Sequence, residues 1–324
     1  MKTIIPPKLQ KGDKIGIVSP SSSIQSRKKL FLKSAEKLEE ALGVEIVWGK
    51  HAFGRHYYSS GTAKERLEDI HRMIADTEIK AVYFSIGGST AIDLLEGLDF
   101  ELIRKNPKII NGFSDATTIV NAVYAKTGLV GFLSNSLSLF GKYNSNYAIA
   151  CMKKSWFDEQ LEKMEPNSEW KDLTSTPNGY SGWLSIKKGK TEGRIIGGSN
   201  KSFIQLLHTP YQPKLENSIL VFESNKMNKK QIHRALMKLR IHGVFRKISG
   251  LLVGYCYLSD DPKIEGNERK IKDLVLEVTK GYDFPIMHVG EFGHNVENIV
   301  LPIGAKMKMD AGKLELEIEE RVAK

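Results

Sequence analysis

Cysteine is scarce in this 324-residue chain: only Cys151 and Cys256 are present, and they sit in no metal-type or redox-type spacing. That excludes a disulfide scaffold and fits a reducing compartment. Long apolar runs are missing too, with none near the ~18 residues needed to cross a bilayer, so no membrane partner is expected. The opening MKTIIPPKLQKGDK lacks the apolar core and cleavage site of a secretory signal, which makes the cytosol the expected location. Neither the full G-x-G-x-x-G string nor a Walker string occurs, so no nucleotide cofactor is implied. The formal charge is +10, but the basic residues are scattered among 38 acids and read as solvated surface, so no nucleic-acid partner is expected.

What is present is an ordinary globular composition, 41% hydrophobic and 27% charged, in a chain long enough for two packed cores. The first half alternates short apolar runs with amphipathic stretches. Ile15 to Val18 precedes a helical stripe of Leu30, Ala35, Leu38 and Leu42, and Val44 to Trp48 follows. Thr62 and Glu65 form a capping box ahead of Leu67, Ile70 and Ile74, and Ala81 to Phe84 supplies another strand. Lys108 to Asn111 is a further strand, and Thr117 to Lys126 a helix ended near Gly128. This alternation is the βαβ pattern of a parallel sheet.

The periodicity fades from about 146 to 190, where PNSEWKDLTSTPNGYSGW has the composition of a connection. We therefore expect an α/β protein of two units: residues 1–145 as a Rossmann-like parallel-sheet domain, 146–190 as a connecting segment, and 191–324 as a mixed α/β domain. The second unit begins with Gly193 to Ile196 and has a buried strand at Ser218 to Phe222. A helix carrying Ile232, Ala235, Leu236 and Leu239 leads to a strand at Leu251 to Gly254. A helix through Ile271 and Val278, a strand at Pro285 to Val289, and an alternating end after Gly312 complete it.

Gly112-Phe113-Ser114-Asp115-Ala116 lies between an apolar strand and a helix. A serine hydroxyl is a useful nucleophile when a sharp strand-to-helix turn exposes it, and that turn needs small residues two before and two after it. Gly112 and Ala116 meet that need, although an ordinary loop in which Ser114 or Asp115 caps the next helix fits the same five residues. Among eight histidines, His294 lies in the loop GEFGHNVEN, where Gly293 and Asn295 permit an unusual backbone path; it is the best candidate for a general base or else a surface histidine. Glu223, at the carboxyl end of the Ser218 to Phe222 run, is either the carboxylate that orients the imidazole or the first exposed residue past a strand. Ser85-Ile86-Gly87-Gly88-Ser89 follows a strand, opens a helix and offers backbone N–H groups for an oxyanion. His288, Glu291 and His294 recur at three-residue intervals as zinc ligands would, but Gly290 and Gly293 argue against the helix that would align them, and no metal is expected.

Together these strings resemble the LD-carboxypeptidase family (peptidase family S66), from KGDKIGIVSPSS near the start to GHNVENIVLPIGA near the end. The family's G-[YF]-S-D-x-T string is matched by Gly112 to Thr117, its L-F-L-E-like string by Leu220 to Glu223, and its G-H-x-x-x-N string by Gly293 to Asn298. The resemblance implies Ser114 as nucleophile, His294 as base and Glu223 as its partner. It also implies oxyanion donors at the Gly88 and Asp115 amides, and substrate contacts at Gly87 and Ser89. Two strings depart from the family: its G-G-N-L appears as Gly197-Gly198-Ser199-Asn200, and Ser224 follows Glu223 where Asp is common. The resemblance further implies a cleft between two domains, a homodimer, no cofactor and a small peptide or muropeptide substrate. The expected reaction is release of a terminal D-amino acid from a cytosolic muropeptide. Hydrolysis of a peptidyl-nucleotide conjugate, as in microcin C immunity, is the second expectation, and SIGGST and Gly182-Trp183 look nearer to that branch. A catalytically silent binding protein is the third.

Overall fold

Four strands placed by the βαβ alternation, and a fifth that it does not mark, form a parallel sheet in the computed structural model, which describes residues 2–143, 145–158, 163–170, 173, 182–257, 259 and 269–324. They are β1 (Lys14–Val18), β2 (Glu45–Trp48), β3 (Ile79–Phe84), β4 (Ile109–Gly112) and β5 (Gly131–Leu133). The second half adds β6 (Leu184–Lys187), β7 (Lys190–Ser199), β8 (Ser218–Asn225), β9 (Gly250–Tyr257) and β10 (Ile286–Gly293). It ends with β11 (Leu301–Ile303), β12 (Lys306–Asp310) and β13 (Glu315–Ile318).

The first sheet runs β11-β5-β4-β3-β1-β2, with β1 to β5 parallel and β11 antiparallel on β5. A strand from the end of the chain thus completes the sheet built by its beginning. The second sheet runs β13-β12-β7-β8-β9-β10-β6; its centre, β7 to β10, is parallel and its remaining strands are antiparallel.

The helices of the first half are α1 (Lys28–Leu42), α2 (Ala63–Ala75), α3 (Phe100–Lys105), α4 (Thr117–Thr127), α5 (Ser138–Lys142) and α6 (Asn146–Trp156). Those of the second are α7 (Asn200–Ile204), α8 (Lys229–Ile241) and α9 (Ile271–Val278). The capping box forms as expected, with Thr62 and Glu65 satisfying each other's backbone amides, and Gly128 ends α4 at φ +80°. The segment whose periodicity fades still contains α6, which buries Ala148, Met152 and Trp156. Residues 171–172 and 174–181 of the Pro- and Ser-rich stretch lie outside the described residues.

Helix α4 ties the two sheets together. The Asn121 side-chain amide donates to the Gly197 carbonyl and accepts from the Gly197 amide, both at 2.9 Å, while Thr117 Oγ1 accepts from the Ser199 amide at 3.1 Å. A Cβ on Gly198 would stand 2.7 Å from that same Thr117 oxygen, so this glycine lets the sheets close on each other.

Lys108 enters β4 with its ammonium buried, donating to the Met73 carbonyl at 3.0 Å and to the Asp76 carbonyl at the end of α2. Burial pushes its pKa down to about 8 from 10.5. The native state therefore disfavours the charged form: the cost is full below pH 8 and is relieved as pH rises toward 10.5, where the unfolded chain still holds a proton the native state has lost. Stability of the wild type should rise relative to Lys108→Met across that window, as read from urea midpoints at pH 7.5, 9 and 10.5. A constant difference between the two proteins would contradict it.

Candidate active site

The strand-to-helix turn after β4 holds Ser114 at φ +59°, a region costly for any residue with a Cβ. A Cβ on Gly112 would stand 2.5 Å from the Ala116 Cβ and 2.8 Å from the Phe84 ring. The two small residues flanking Ser114 are thus in direct contact, and alanine fits at the second because glycine stands at the first. Ser114 begins a single 3₁₀ turn that runs straight into α4.

The structure brings Ser114, His294 and Glu223 together. His294 Nε2 lies 2.9 Å from Ser114 Oγ, and His294 Nδ1 lies 2.8 Å from Glu223 Oε2. The Glu223 carboxylate is wholly buried. An ionised carboxylate only accepts, so it holds the proton on Nδ1 and leaves the Nε2 lone pair facing the hydroxyl. The Phe113 ring lies 4.7 Å from the imidazole between centroids and covers it.

Glu223 reaches His294 through an irregularity the sequence does not announce. Strand β8 continues through Asn225 rather than stopping at Phe222, and its register on β9 shifts between Phe222 and Ser224. Such a bulge at Glu223 re-aims the side chain within an otherwise regular strand. The register of β10 on β9 shifts likewise between Val289 and Gly293, next to His294. Gly254 on β9 permits both, because a Cβ there would meet the Phe292 carbonyl at 2.3 Å and the Glu223 Cβ at 3.1 Å. Asn200 Nδ2 donates to the Glu223 carbonyl at 2.6 Å, which assigns a structural task to the segment where the family's G-G-N-L is altered.

The His294 loop is pinned by asparagines. Asn298 Oδ1 accepts from the Gly293 amide at 2.7 Å, and Asn295 takes φ +61°. Asn135, past the end of β5, donates to the Val296 carbonyl at 2.9 Å and accepts from the Asn298 amide at 2.8 Å. Sequence reasoning passed over Asn135 because nothing in SNSLSLFGKYN distinguishes it from a polar loop.

Gly87 and Gly88 follow β3, and both line the cavity that holds Ser114, with Gly87 directly against it. A Cβ on Gly87 would lie 2.7 Å from the Ser114 Cβ, 3.0 Å from its Oγ and 2.9 Å from the Asp115 amide nitrogen. The space beside that amide is therefore open only because residue 87 is glycine. Gly88, at φ +156°, packs on Ser21 and Ser22. The segment leads into the 3₁₀ turn Ala91–Leu94 rather than into an α-helix. Ser89 is exposed and stands outside the cavity lining. The buried Asp115 carboxylate accepts from Ser21 Oγ at 2.7 Å and from the Ala91 amide at 2.8 Å, so it fixes the glycine turn against the serine turn.

A cavity of about 290 Å³ opens over Ser114 and His294, lined also by Ser22, Gly87, Asn135, Ser136, Lys142 and Tyr143. Ser114, Glu223, His294 and the glycine pair all sit at or just past the carboxyl ends of parallel strands, where α/β sheets gather their ligands. Glu291 of the three-residue series is engaged elsewhere, accepting from Trp183 Nε1 at 2.6 Å and the Asn167 amide at 2.9 Å. His288 lies within β10, as its strand reading anticipates.

A half-buried serine on a strained turn, opening into a cavity and linked through imidazole to a buried carboxylate, has the layout of a serine-type hydrolase. The chain belongs to the LD-carboxypeptidase family: the LD-carboxypeptidase N-terminal domain matches residues 15–134 and the C-terminal domain matches residues 192–309. It is 30% identical to the probable murein peptide carboxypeptidase of Bacillus subtilis over 326 residues, covering 98% of this chain and 95% of that one. It is also 30% identical to the microcin C7 self-immunity protein MccF of Escherichia coli over 331 residues, covering 96% and 94%. A solved structure of MccF in complex with aspartyl sulfamoyl adenosine superposes with a TM-score of 0.88 at 26% identity, covering 99% of this chain and 100% of that one. No helix among the described residues is long and apolar enough to cross a membrane.

Proposed function

We propose that this protein is a serine-type LD-carboxypeptidase that releases a terminal D-amino acid from a cytosolic muropeptide. The observation that carries the reading is His294, bonded at once to Ser114 and to Glu223 on the floor of an open cavity. In the proposed reaction His294 takes the Ser114 proton as the hydroxyl oxygen attacks the amide carbonyl. The Gly88 and Asp115 amides hold the oxyanion, and Glu223 steadies the imidazolium. His294 then returns the proton to the leaving amine, and water, activated by the same imidazole, frees the acyl group. Murein peptide carboxypeptidase relatives support the substrate class, and the homodimer implied by the resemblance is part of the same proposal.

A peptidyl-nucleotide substrate is the second reading, favoured by the likeness to MccF. The two separate when purified protein receives an L,D-muropeptide tetrapeptide and a peptidyl-adenylate analogue side by side. Release of the terminal D-amino acid is the expected product, and release of nucleotide alone would favour the second reading. A fluorophosphonate probe should label Ser114; an unlabelled serine in folded protein would point instead to a silent binding protein.

A further inference from the structure

We infer that Lys142 is the specificity-determining cation of this site, gripping the terminal carboxylate of the substrate on the leaving-group side; the inference rests on the carboxypeptidase reading. An enzyme that cuts only at a chain end must recognise the free carboxylate, and a carboxylate leaves water at tolerable cost only where a cation or several donors await it.

The charge inventory of the cavity wall points to one residue. Among the described residues no aspartate, glutamate or arginine lines it, and the imidazole of His294 is committed to Glu223 and Ser114. Among the described residues Lys142 is the only lysine on that wall, and its side chain makes no ion pair there. Several other surface lysines are different: Lys14, Lys163, Lys306 and Lys308 are each paired with a glutamate. The hydroxyls of Ser136 and Ser138, 3.2 Å apart, share the wall and supply neutral donors beside the ammonium.

Lys142 is also held in the frame of the reacting groups. It ends α5, whose approach to α1 requires Gly141, because a Cβ there would stand 2.3 Å from Ser34 Oγ and 2.9 Å from the Leu30 carbonyl. The Leu137 amide donates to the Ser85 carbonyl at 3.0 Å, just ahead of the glycine turn, and Asn135 bonds the His294 loop. A terminal carboxylate placed against Lys142 is therefore registered against Ser114, His294 and Gly87 together.

The test compares a peptide ending in an L-residue and a terminal D-amino acid, as free acid and as terminal amide, with a nucleoside monophosphate as competitor. Wild type should prefer the acid in kcat/KM. In Lys142→Met that preference should fall by about 10- to 100-fold, mostly through KM, and Lys142→Arg should retain most of it. The same shift should appear in the relative affinities of the two peptides for Ser114→Ala protein with and without Lys142→Met. An unchanged acid-to-amide ratio, or a wild type without acid preference, overturns the assignment. Weakened nucleoside monophosphate binding with an unchanged peptide ratio also overturns it, in favour of a phosphate site. Acid-selective binding that needs Lys142, without hydrolysis by wild type, would sink the peptidase reading and leave Lys142 in place.

Discussion

Ser114→Ala is expected to lower turnover by on the order of 10⁴-fold or more, because groups that act as a unit lose nearly everything when one is removed. The loss corresponds to about 5.5 kcal/mol of transition-state stabilisation, far beyond the value of the single 2.9 Å hydrogen bond that the substitution deletes. The fold should survive. Alanine retains the Cβ that already occupies the φ +59° position, and His294 keeps its bond to the buried Glu223 carboxylate. The midpoint of thermal unfolding should therefore move little while kcat collapses and fluorophosphonate labelling disappears. Near-normal hydrolysis of a muropeptide by this variant would sink the proposed mechanism, and so would a loss of activity matched by a loss of folded protein.

Much of this arrangement was legible in the residues. Runs of Ile, Val and Phe marked β1, β3 and β8, and the Thr62 capping box, the Gly128 end of α4 and the Gly112 turn follow from local chemistry that needs no distant partner. What stayed hidden depends on long-range pairing. Strand β11 is three residues long and acquires meaning only on β5, more than 160 positions earlier in the chain. On α2 the apolar stripe suggested a buried Leu67, which is half-buried, whereas Arg66 and Asp69 are buried beside it. Arg66 compensates by donating to the Pro20 and Thr90 carbonyls at 2.7 and 2.9 Å, bonds that hydrophobic periodicity cannot signal.

The three residues proposed to react were the most legible part of the site and their supports the least. Ser114, Glu223 and His294 stand beside strand ends and glycines, which leave local marks. The bulge that turns Glu223 inward, the Asn135 bridge to the His294 loop and the Asn200 bond to the Glu223 backbone join segments 23 to 163 residues apart. Each side chain there is ordinary in its own neighbourhood. Both halves of the chain must fold and dock before serine and imidazole meet, so the Asn121 and Thr117 ties between the sheets bear on the proposed catalysis as well as on stability.

Gly87→Ala tests the proposed oxyanion space while leaving the nucleophile's hydroxyl in the chain. Gly87 is not at a positive φ, so an alanine there meets no φ strain and its cost comes from close contacts. The added methyl would nonetheless stand 2.9 Å from the Asp115 amide nitrogen and 2.7 Å from the Ser114 Cβ. Those atoms are backbone or adjoin it, and Asp115 is locked by its bonds to Ser21 and Ala91, so neither can step aside cheaply. The methyl would fill the space proposed for the carbonyl oxygen of the tetrahedral intermediate. Removal of one oxyanion donor costs about 10² to 10³ in kcat elsewhere, and a blocked site should cost at least as much. The expected result is a fall in kcat of about 10²-fold or more per folded molecule, with a lowered unfolding midpoint because the methyl presses on the Ser114 Cβ and the Asp115 amide. Fluorophosphonate labelling should slow in parallel, because its phosphoryl oxygen needs the same space. Wild-type turnover by Gly87→Ala would place the oxyanion somewhere other than beside the Asp115 amide.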